Sequence, residues 1–340
     1  MELISLDGSY LEGGGQIIRT AIGLSAVTGK PCRIFNIRKG RPNPGLKAQH
    51  LKGIEAVAKL CNAKTKGFDI NSTEIEFYPD KLSYQPLKIN VGTAGAITLV
   101  LQSLFIPAAH TDKELIFEIE GGTHVKWAPS IDYFEQIFCR FLKIMGIDTS
   151  IEIIKHGFYP AGGGNVKVTI KPGKLKQINL TERGNYIRTD VFSVASKNLE
   201  KSKVVERQIQ GAEKLIKTTY HVTRYVDSVS TGSAVHMHSH YKNTALGAYF
   251  LGEKVMPAEK VGENCASLLK TQMDSGACLD KWMADQILPY MALAGNSKVT
   301  ISEVTNHVKT NIWVIEKFLP VKFDINQKSK PVTLSCELQK

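Results

Sequence analysis

The sequence predicts an α/β (α+β) fold: three repeated two-helix, four-strand units around a pseudo-threefold axis, plus a small inserted α/β domain. Three observations carry this reading. One order of elements (helix, strand, loop, helix, two strands) recurs three times along the 340 residues. The third copy has no opening strand beside it, and the best candidate for that strand lies back at 178–181. The stretch between, 184–276, alternates strand and helix patterns of its own. The chain therefore divides into 1–183 (units one and two and the start of unit three), 184–276 (the insert) and 277–340 (the rest of unit three).

Each element follows from its residues. In unit one, Ile17, Ile18, Ala21 and Leu24 recur at helical spacing and predict a helix over 15–28 that Gly29 stops. A strand at 31–37, a basic loop, a helix at 46–60 and two strands ending near Tyr78 follow. Unit two repeats the order with a helix at 94–109, a strand at 114–119, a loop at 120–129 and a helix at 130–145. Phe134, Ile137, Phe138, Phe141, Leu142 and Met145 give that last helix one apolar face. Strands near 151–155 and 166–170 close the unit. Unit three reads helix 281–294, strand 298–303, loop 304–309, helix 310–319 and strands 321–325 and 332–337. The insert reads helix 199–217, strands near 220–226, 234–240 and 248–252, and helix 258–273.

Composition narrows the function class. A formal net charge of +11 with only 22% charged residues describes a folded protein with anionic partners, not a disordered basic tail. Between Arg33 and Lys52 lie six basic residues and no acidic one, and glycine and proline hold Arg38, Lys39 and Arg41 in a loop. The six cysteines are scattered among apolar neighbours without a C-x-x-C pair, which fits free thiols in a reducing compartment. The longest apolar run, 94–109, is too short for a membrane span, and no signal-peptide pattern opens the chain. A cytoplasmic protein without membrane contact is expected.

The loops of the repeat carry the chemistry. In Glu12-Gly-Gly-Gly-Gln-Ile-Ile-Arg19 bare backbone N–H groups precede a helix start, an arrangement that suits an anion. Glu12 adds a metal ligand and Arg19 a phosphate clamp. The loop after the second strand of unit one holds Arg38 and Arg41, and its counterpart in unit three holds His307 at a helix start. The helix dipole keeps such a histidine neutral, and a neutral imidazole is a nucleophile toward phosphorus. Asp285 either caps its helix or binds metal, and Trp282 either stacks on a base or packs. His124 is read as structural, and His156 lines a site or pins a turn.

Together, Glu12–Arg19, Arg38-Lys-Gly-Arg41-Pro-Asn-Pro-Gly-Leu-Lys-Ala-Gln49-His50, His156-Gly-Phe-Tyr-Pro-Ala-Gly-Gly-Gly164, Met283-Ala-Asp285-Gln286 and His307-Val-Lys-Thr-Asn311-Ile resemble RNA 3′-terminal phosphate cyclase over nearly the whole chain. The resemblance implies three repeats like the C-terminal domain of translation initiation factor 3, with an inserted domain. It implies an ATP-dependent ligase that turns an RNA 3′-phosphate into a 2′,3′-cyclic phosphate through a covalent histidine-AMP. His307 is then the nucleophile, with Glu12, Arg19, Arg38, Arg41, Gln49 and Asp285 as catalytic partners. Gln102, Pro129, Trp282, Met283, Ala284, Asp285 and Gln286 line the nucleotide site, and Glu12 and Asp285 hold Mg²⁺ or Mn²⁺. RNA with a 3′-phosphate end and ATP are the implied partners, and a homodimer is compatible. One cyclase-like subfamily lacks the catalytic histidine and serves ribosome assembly as an RNA-binding protein; His307, Glu12 and Asp285 favour the enzyme.

The least family-like feature is the alternation His236, His238, His240, which puts three imidazoles on one face of a strand. Lacking any sign of a second shell to orient zinc ligands, the sequence favours a polar, RNA-facing strand over a metal site.

Overall fold

The computed structural model describes residues 2–339, and its strands reproduce one topology three times. The first unit runs β1 (Ile4–Asp7), α1 (Gln16–Thr28), β2 (Cys32–Phe35), α2 (Ala48–Leu60), β3 (Lys64–Lys66) and β4 (Ile75–Tyr78). Its sheet has the order β1-β2-β4-β3, with β1 parallel to β2 and the rest antiparallel. The second comprises β5 (Leu87–Asn90), α3 (Ile97–Ala108), β6 (Leu115–Gly121), a helical run and strands β7 (Thr149–Lys155) and β8 (Gly164–Ile170), ordered β5-β6-β8-β7. That helical run is α4 (Ile131–Tyr133), a π-helical turn (Phe134–Phe138) and α5 (Cys139–Ile144), where the sequence predicts one regular helix.

In the third unit the opening strand is β9 (Asn179–Leu180). The insert follows it as β10 (Tyr186–Ser196), a 3₁₀ turn (Lys197–Ser202), α6 (Val204–Glu213), β11 (Tyr220–Val226), β12 (Ser233–Tyr241), β13 (Ala245–Leu251) and α7 (Ala258–Asp274). The unit then resumes with α8 (Lys281–Gln286), α9 (Leu288–Ala294), β14 (Ser297–Ile301), α10 (Asn306–Phe318), β15 (Val321–Asn326) and β16 (Val332–Leu338). β14 pairs in parallel with β9, so the distant strand completes the order β9-β14-β16-β15. The insert keeps its own sheet, β11-β10-β12-β13.

Packing explains why the units hold together. Ile17, Ile18, Ala21, Ile22 and Leu24 of α1 are all within 2% of full burial, because helices of all three units converge there. At Gly23 of α1 an added Cβ would lie 2.8 Å from Ile106 Cδ1, so a side chain would push α3 away. One apolar cluster spans the three units from Leu6 to Cys336, while Val191, Val235, Met237, Val261 and Leu269 make a separate core in the insert. Trp282 packs against both. The six cysteines are buried free thiols, as their apolar neighbours imply. No helix among the described residues is long and apolar enough to cross a membrane.

Three expectations change. The predicted helix over 281–294 is broken at Ile287, just ahead of Pro289, which lacks an N–H. The predicted loop 304–309 is mostly helix: Thr305 accepts from Val308 N as N-cap, and α10 begins at Asn306. The RNA-facing strand is overturned, since His236 and His238 are each only 1% exposed. β12 is an inner strand with two buried faces: Val235 and Met237 face the insert core, while His236 lies 6.0 Å from Tyr133 of α4. Alternation there separates two interiors and not an inside from an outside.

Candidate active site

Four segments from two units meet at one place: the β1–α1 glycine loop, the β2–α2 basic loop, the C-terminal end of α8 and the first turn of α10. Side-chain hydrogen bonds tie them. Gln16 Nε2 donates to the carbonyl of His307 at 2.9 Å, and Thr20 Oγ1 donates to Asn311 Oδ1 at 2.9 Å. Asn311 Nδ2 in turn donates to the carbonyl of Asp285 at 2.9 Å. Asn311 is one helical turn beyond His307, so a single face of α10 both carries the imidazole and locks it to α1 and α8.

His307 stands between two carboxylates. Its Nε2 lies 2.7 Å from Glu12 Oε2, and its Nδ1 lies 3.9 Å from Asp285 Oδ2. Burial pushes its pKa below the ordinary histidine value, Glu12 opposes that shift, and Arg19 and Arg41 add to it. Within the first turn of α10 the helix dipole acts in the same direction, so the ring is neutral near pH 7. Burial raises the Asp285 carboxyl to about 7 against the pull of Arg19. Arg19 itself is lowered to about 10 by burial, partly offset by Asp285, and its buried Nε has no hydrogen-bond partner among the described residues. A guanidinium in a cleft whose buried Nε is an unused donor is a site for an anion.

The glycine loop is shaped by what presses on it. A Cβ at Gly15 would fall 2.3 Å from His50 Nε2 and 3.0 Å from Arg19, so only glycine leaves room for both. His50 accepts from Lys47 N through Nδ1 at 3.1 Å, which turns Nε2 toward the loop. Burial, with Arg19, Arg38 and Lys47 adding, drops its pKa to about 3, so it is a neutral donor. Arg41 lies 3.7 Å from Glu12 and reaches over Gly14. Arg38, at φ +55°, donates to the carbonyl of Gly45 and closes the basic loop on itself.

Arg19, Gln102, Asp285 and Gln286, all singled out from the sequence, line one cleft together with Gln16 and Asn311. Gln102 Nε2 donates to Gln286 Oε1 at 2.9 Å. Other singled-out residues stand elsewhere. Gln49 Oε1 accepts from Ala96 N at 3.1 Å, capping the start of α3. The carbonyl of Pro129 accepts from Thr98 Oγ1 at 2.8 Å. Met283 and Ala284 are fully buried in the core. Trp282 packs, with Tyr249 5.9 Å and Tyr133 6.3 Å away and Lys281 Nζ 5.1 Å over its ring. The cap of α8 is Asp280, whose Oδ1 accepts from Trp282 N, Met283 N and Tyr133 Oη. Of the two roles left open for Asp285, capping is therefore taken by its neighbour.

Gln16, Thr20, Asn311 and His50 received no role from the sequence. Asn311 had a readable signal, since it lies one helical turn from His307, which was already singled out. His50 had none, because its function is to press on Gly15 from 35 residues away. His124 is structural as expected: Nε2 meets Asp132 Oδ2 at 2.7 Å and Nδ1 meets Thr123 Oγ1 at 2.7 Å, all buried. His156 is buried 5.3 Å from it, and burial lowers it to about 4.

Comparison with known proteins agrees with this geometry. The profile of the RNA 3′-terminal phosphate cyclase family matches residues 10–325. Proteins named RNA 3′-terminal phosphate cyclase are similar over almost their full length. That of Methanosarcina barkeri is 44% identical over 331 residues, covering 96% of this chain and 97% of its own. That of Methanococcoides burtonii is 42% identical, covering 98% and 100%, and that of Pyrococcus abyssi is 42% identical, covering 95% of each. With the glycine loop, the basic loop and the His307 turn brought together by Glu12, Arg41 and His307, the chain belongs to the RNA 3′-terminal phosphate cyclase family of enzymes.

Proposed function

We propose that the protein converts an RNA 3′-terminal phosphate into a 2′,3′-cyclic phosphodiester at the expense of ATP, by way of a covalent His307–AMP and an RNA-(3′)pp(5′)A intermediate. One observation carries the reading: an imidazole held between Glu12 and Asp285 beside Arg19, whose buried Nε is an unused donor.

A ring nitrogen of His307 attacks the α-phosphorus of ATP; the N–P bond forms, the α–β anhydride bond breaks and pyrophosphate leaves. The proton on the other ring nitrogen passes to the carboxylate beside it. If Nε2 attacks, Asp285, 3.9 Å from Nδ1 with its carboxyl raised to about 7, accepts that proton; if Nδ1 attacks, Glu12, 2.7 Å from Nε2, does so. AMP then moves to the RNA 3′-phosphate: the N–P bond breaks and a P–O–P anhydride forms. The neighbouring ribose 2′-OH attacks the activated phosphorus: the O2′–P bond forms, the anhydride P–O bond breaks, AMP leaves and the hydroxyl proton passes to solvent, helped by the high effective molarity of a hydroxyl on the same ribose. Arg19 and Arg41 neutralise charge as it shifts between oxygens.

Carboxylate oxygens are the donors Mg²⁺ or Mn²⁺ prefers, so the chemistry of Glu12 and Asp285 fits such an ion. The imidazole lies between the two, and Glu12, the more exposed, is the one that would hold it. Bound there, the ion would supply charge neutralisation at the triphosphate. Six buried thiols suit a reducing cytoplasm.

A short oligoribonucleotide with a 3′-phosphate tests this. Incubation with ATP and Mg²⁺ should render the end phosphatase-resistant and release pyrophosphate and AMP. The same oligonucleotide with a terminal 2′-deoxyribose should stall as RNA-(3′)pp(5′)A. Consumption of neither ATP nor the 3′-phosphate would leave an RNA-binding protein and overturn the proposal.

A further inference from the structure

The histidines of β12 form a second ordered polar centre, far along the fold from His307. Asp190 of β10 stands opposite His238 in the antiparallel register, and His240 is the next residue on that face. Asp190 Oδ2 is 2.9 Å from His240 Nε2 and 3.7 Å from His238 Nε2. One donor atom from each of the three residues lies within 4.8 Å of the others.

The hydrogen bonds fix where the protons are. The carbonyl of Ala248 can only accept, so His236 Nδ1, 3.1 Å away, donates to it. The neutral ring then leaves Nε2 as an acceptor, and His238 Nδ1 donates to it at 3.1 Å. His238 Nε2 is consequently left with a bare lone pair facing a carboxylate oxygen across 3.7 Å. Two buried acceptors pointed at one another repel, and a cation between them reverses the sign. The chain Ala248–His236–His238 is also the outer support that orients a metal-binding imidazole, the element the sequence did not reveal.

We propose that Asp190, His238 and His240 form a Zn²⁺ site joining β10 and β12. Tetrahedral zinc at about 2.0–2.1 Å from nitrogen and oxygen places its ligands about 3.3 Å apart, and side-chain rotation reaches this from 2.9 and 3.7 Å between Asp190 and the two imidazoles and from under 4.8 Å across all three ligand atoms. His238 binds through Nε2 as it stands, and His240 through Nε2 after its proton shifts to Nδ1. Asp190 binds through Oδ2, which gives up its 3.0 Å bond from Arg188 Nε, while Oδ1 keeps its own bond from that nitrogen at 2.9 Å. Water takes the fourth position, and His240, with its side chain 16% exposed, marks the entry side. The charges of Arg188 and Arg140 both act on the cluster and oppose the ion, so they weaken its binding.

Tag-free protein stripped with chelator and titrated with Co²⁺ alone reads the site through the visible bands of tetrahedral cobalt. One equivalent should bind to the wild type and to His307→Ala, and Zn²⁺ should displace it and raise the melting temperature. His240→Ala should abolish the bands. His236→Gln, which removes only the outer support, should weaken binding about 10–100-fold. Should His238→Ala fail to fold, His240→Ala at the exposed edge decides alone. Absence of tetrahedral bands in folded wild type, or bands that survive in His240→Ala, overturns the proposal.

Discussion

Replacing Gly15 with alanine isolates the geometry on which the site depends. Gly15 has φ −63° and ψ −12°, a conformation alanine adopts without strain, so any effect is steric. The new Cβ would sit 2.3 Å from His50 Nε2, where an ordinary contact needs roughly 3.5 Å, so the imidazole must retreat by about 1 Å. It cannot do so freely, because it is 6% exposed and bound to Lys47 N at 3.1 Å. Arg19, 3.0 Å from the same Cβ, must move as well. Overpacking costs about 1–3 kcal/mol, offset by up to about 1 kcal/mol from the lower entropy of the unfolded chain, so a net loss of about 1–2 kcal/mol is expected. Misplacing a phosphate-binding side chain by about 1 Å should slow adenylyl transfer by about 10²-fold. Gly14→Ala is the control, since its Cβ would make only ordinary contacts, with Arg41 at 3.7 Å and Gln16 N at 4.0 Å. Single-turnover labelling with α-labelled ATP, beside urea unfolding of both variants, measures the two quantities. Labelling of Gly15→Ala at the wild-type rate would refute the claim that His50 and Arg19 must occupy these positions.

Other outcomes follow from the same contacts. Asp280→Ala should cost about 3–5 kcal/mol in urea unfolding, because Trp282 N, Met283 N, Tyr133 Oη and Gly247 N all lose their acceptor in a buried setting; a loss under about 1 kcal/mol would refute that. Stability should fall steeply from pH 6.5 toward 4. His50, His156 and His236 are held at about 3, 4 and 4 by burial, so the unfolded chain binds protons there that the folded one does not. Each such proton costs about 1.4 kcal/mol per pH unit; Asp285, raised to about 7, works in the opposite sense with Asp280 and Glu135, which burial also raises, while His110, His238 and His307, lowered by burial, add to the loss. A urea midpoint that stays flat over that interval contradicts this. Arg41→Ala should impair adenylyl transfer by about 2–4 kcal/mol of barrier and Lys47→Ala by little, as Lys47 bonds to Pro44 O and Asn71 Oδ1 at the surface. Equal losses in single-turnover rates would reduce the basic loop to general electrostatics.

How much of this was legible in the sequence depends on whether the signal was local. The repeat was readable because each unit writes the same helix and strand periods in the same order, and β9, two residues long, was found from that order alone. His307 and the glycine loop were readable because turn chemistry and a helix start lie within a few residues of each other. The exact start of α10 was missed because Thr305 caps it with a side chain that looks like any loop threonine. The role of Gln49 was missed because its partner, Ala96 N, is 47 residues away. The β12 histidines were misread for a different reason: period two says that residues share a face, not what covers it. Only the docking of α4 on that sheet makes the face an interior.

The most direct test of the central claim is the fate of label from α-labelled ATP on the wild type and on His307→Ala, both shown to be folded by circular dichroism. The account predicts an acid-labile, alkali-stable adenylate on the wild type that maps to the peptide containing His307, and none on the variant. Equal labelling of the two proteins would contradict it.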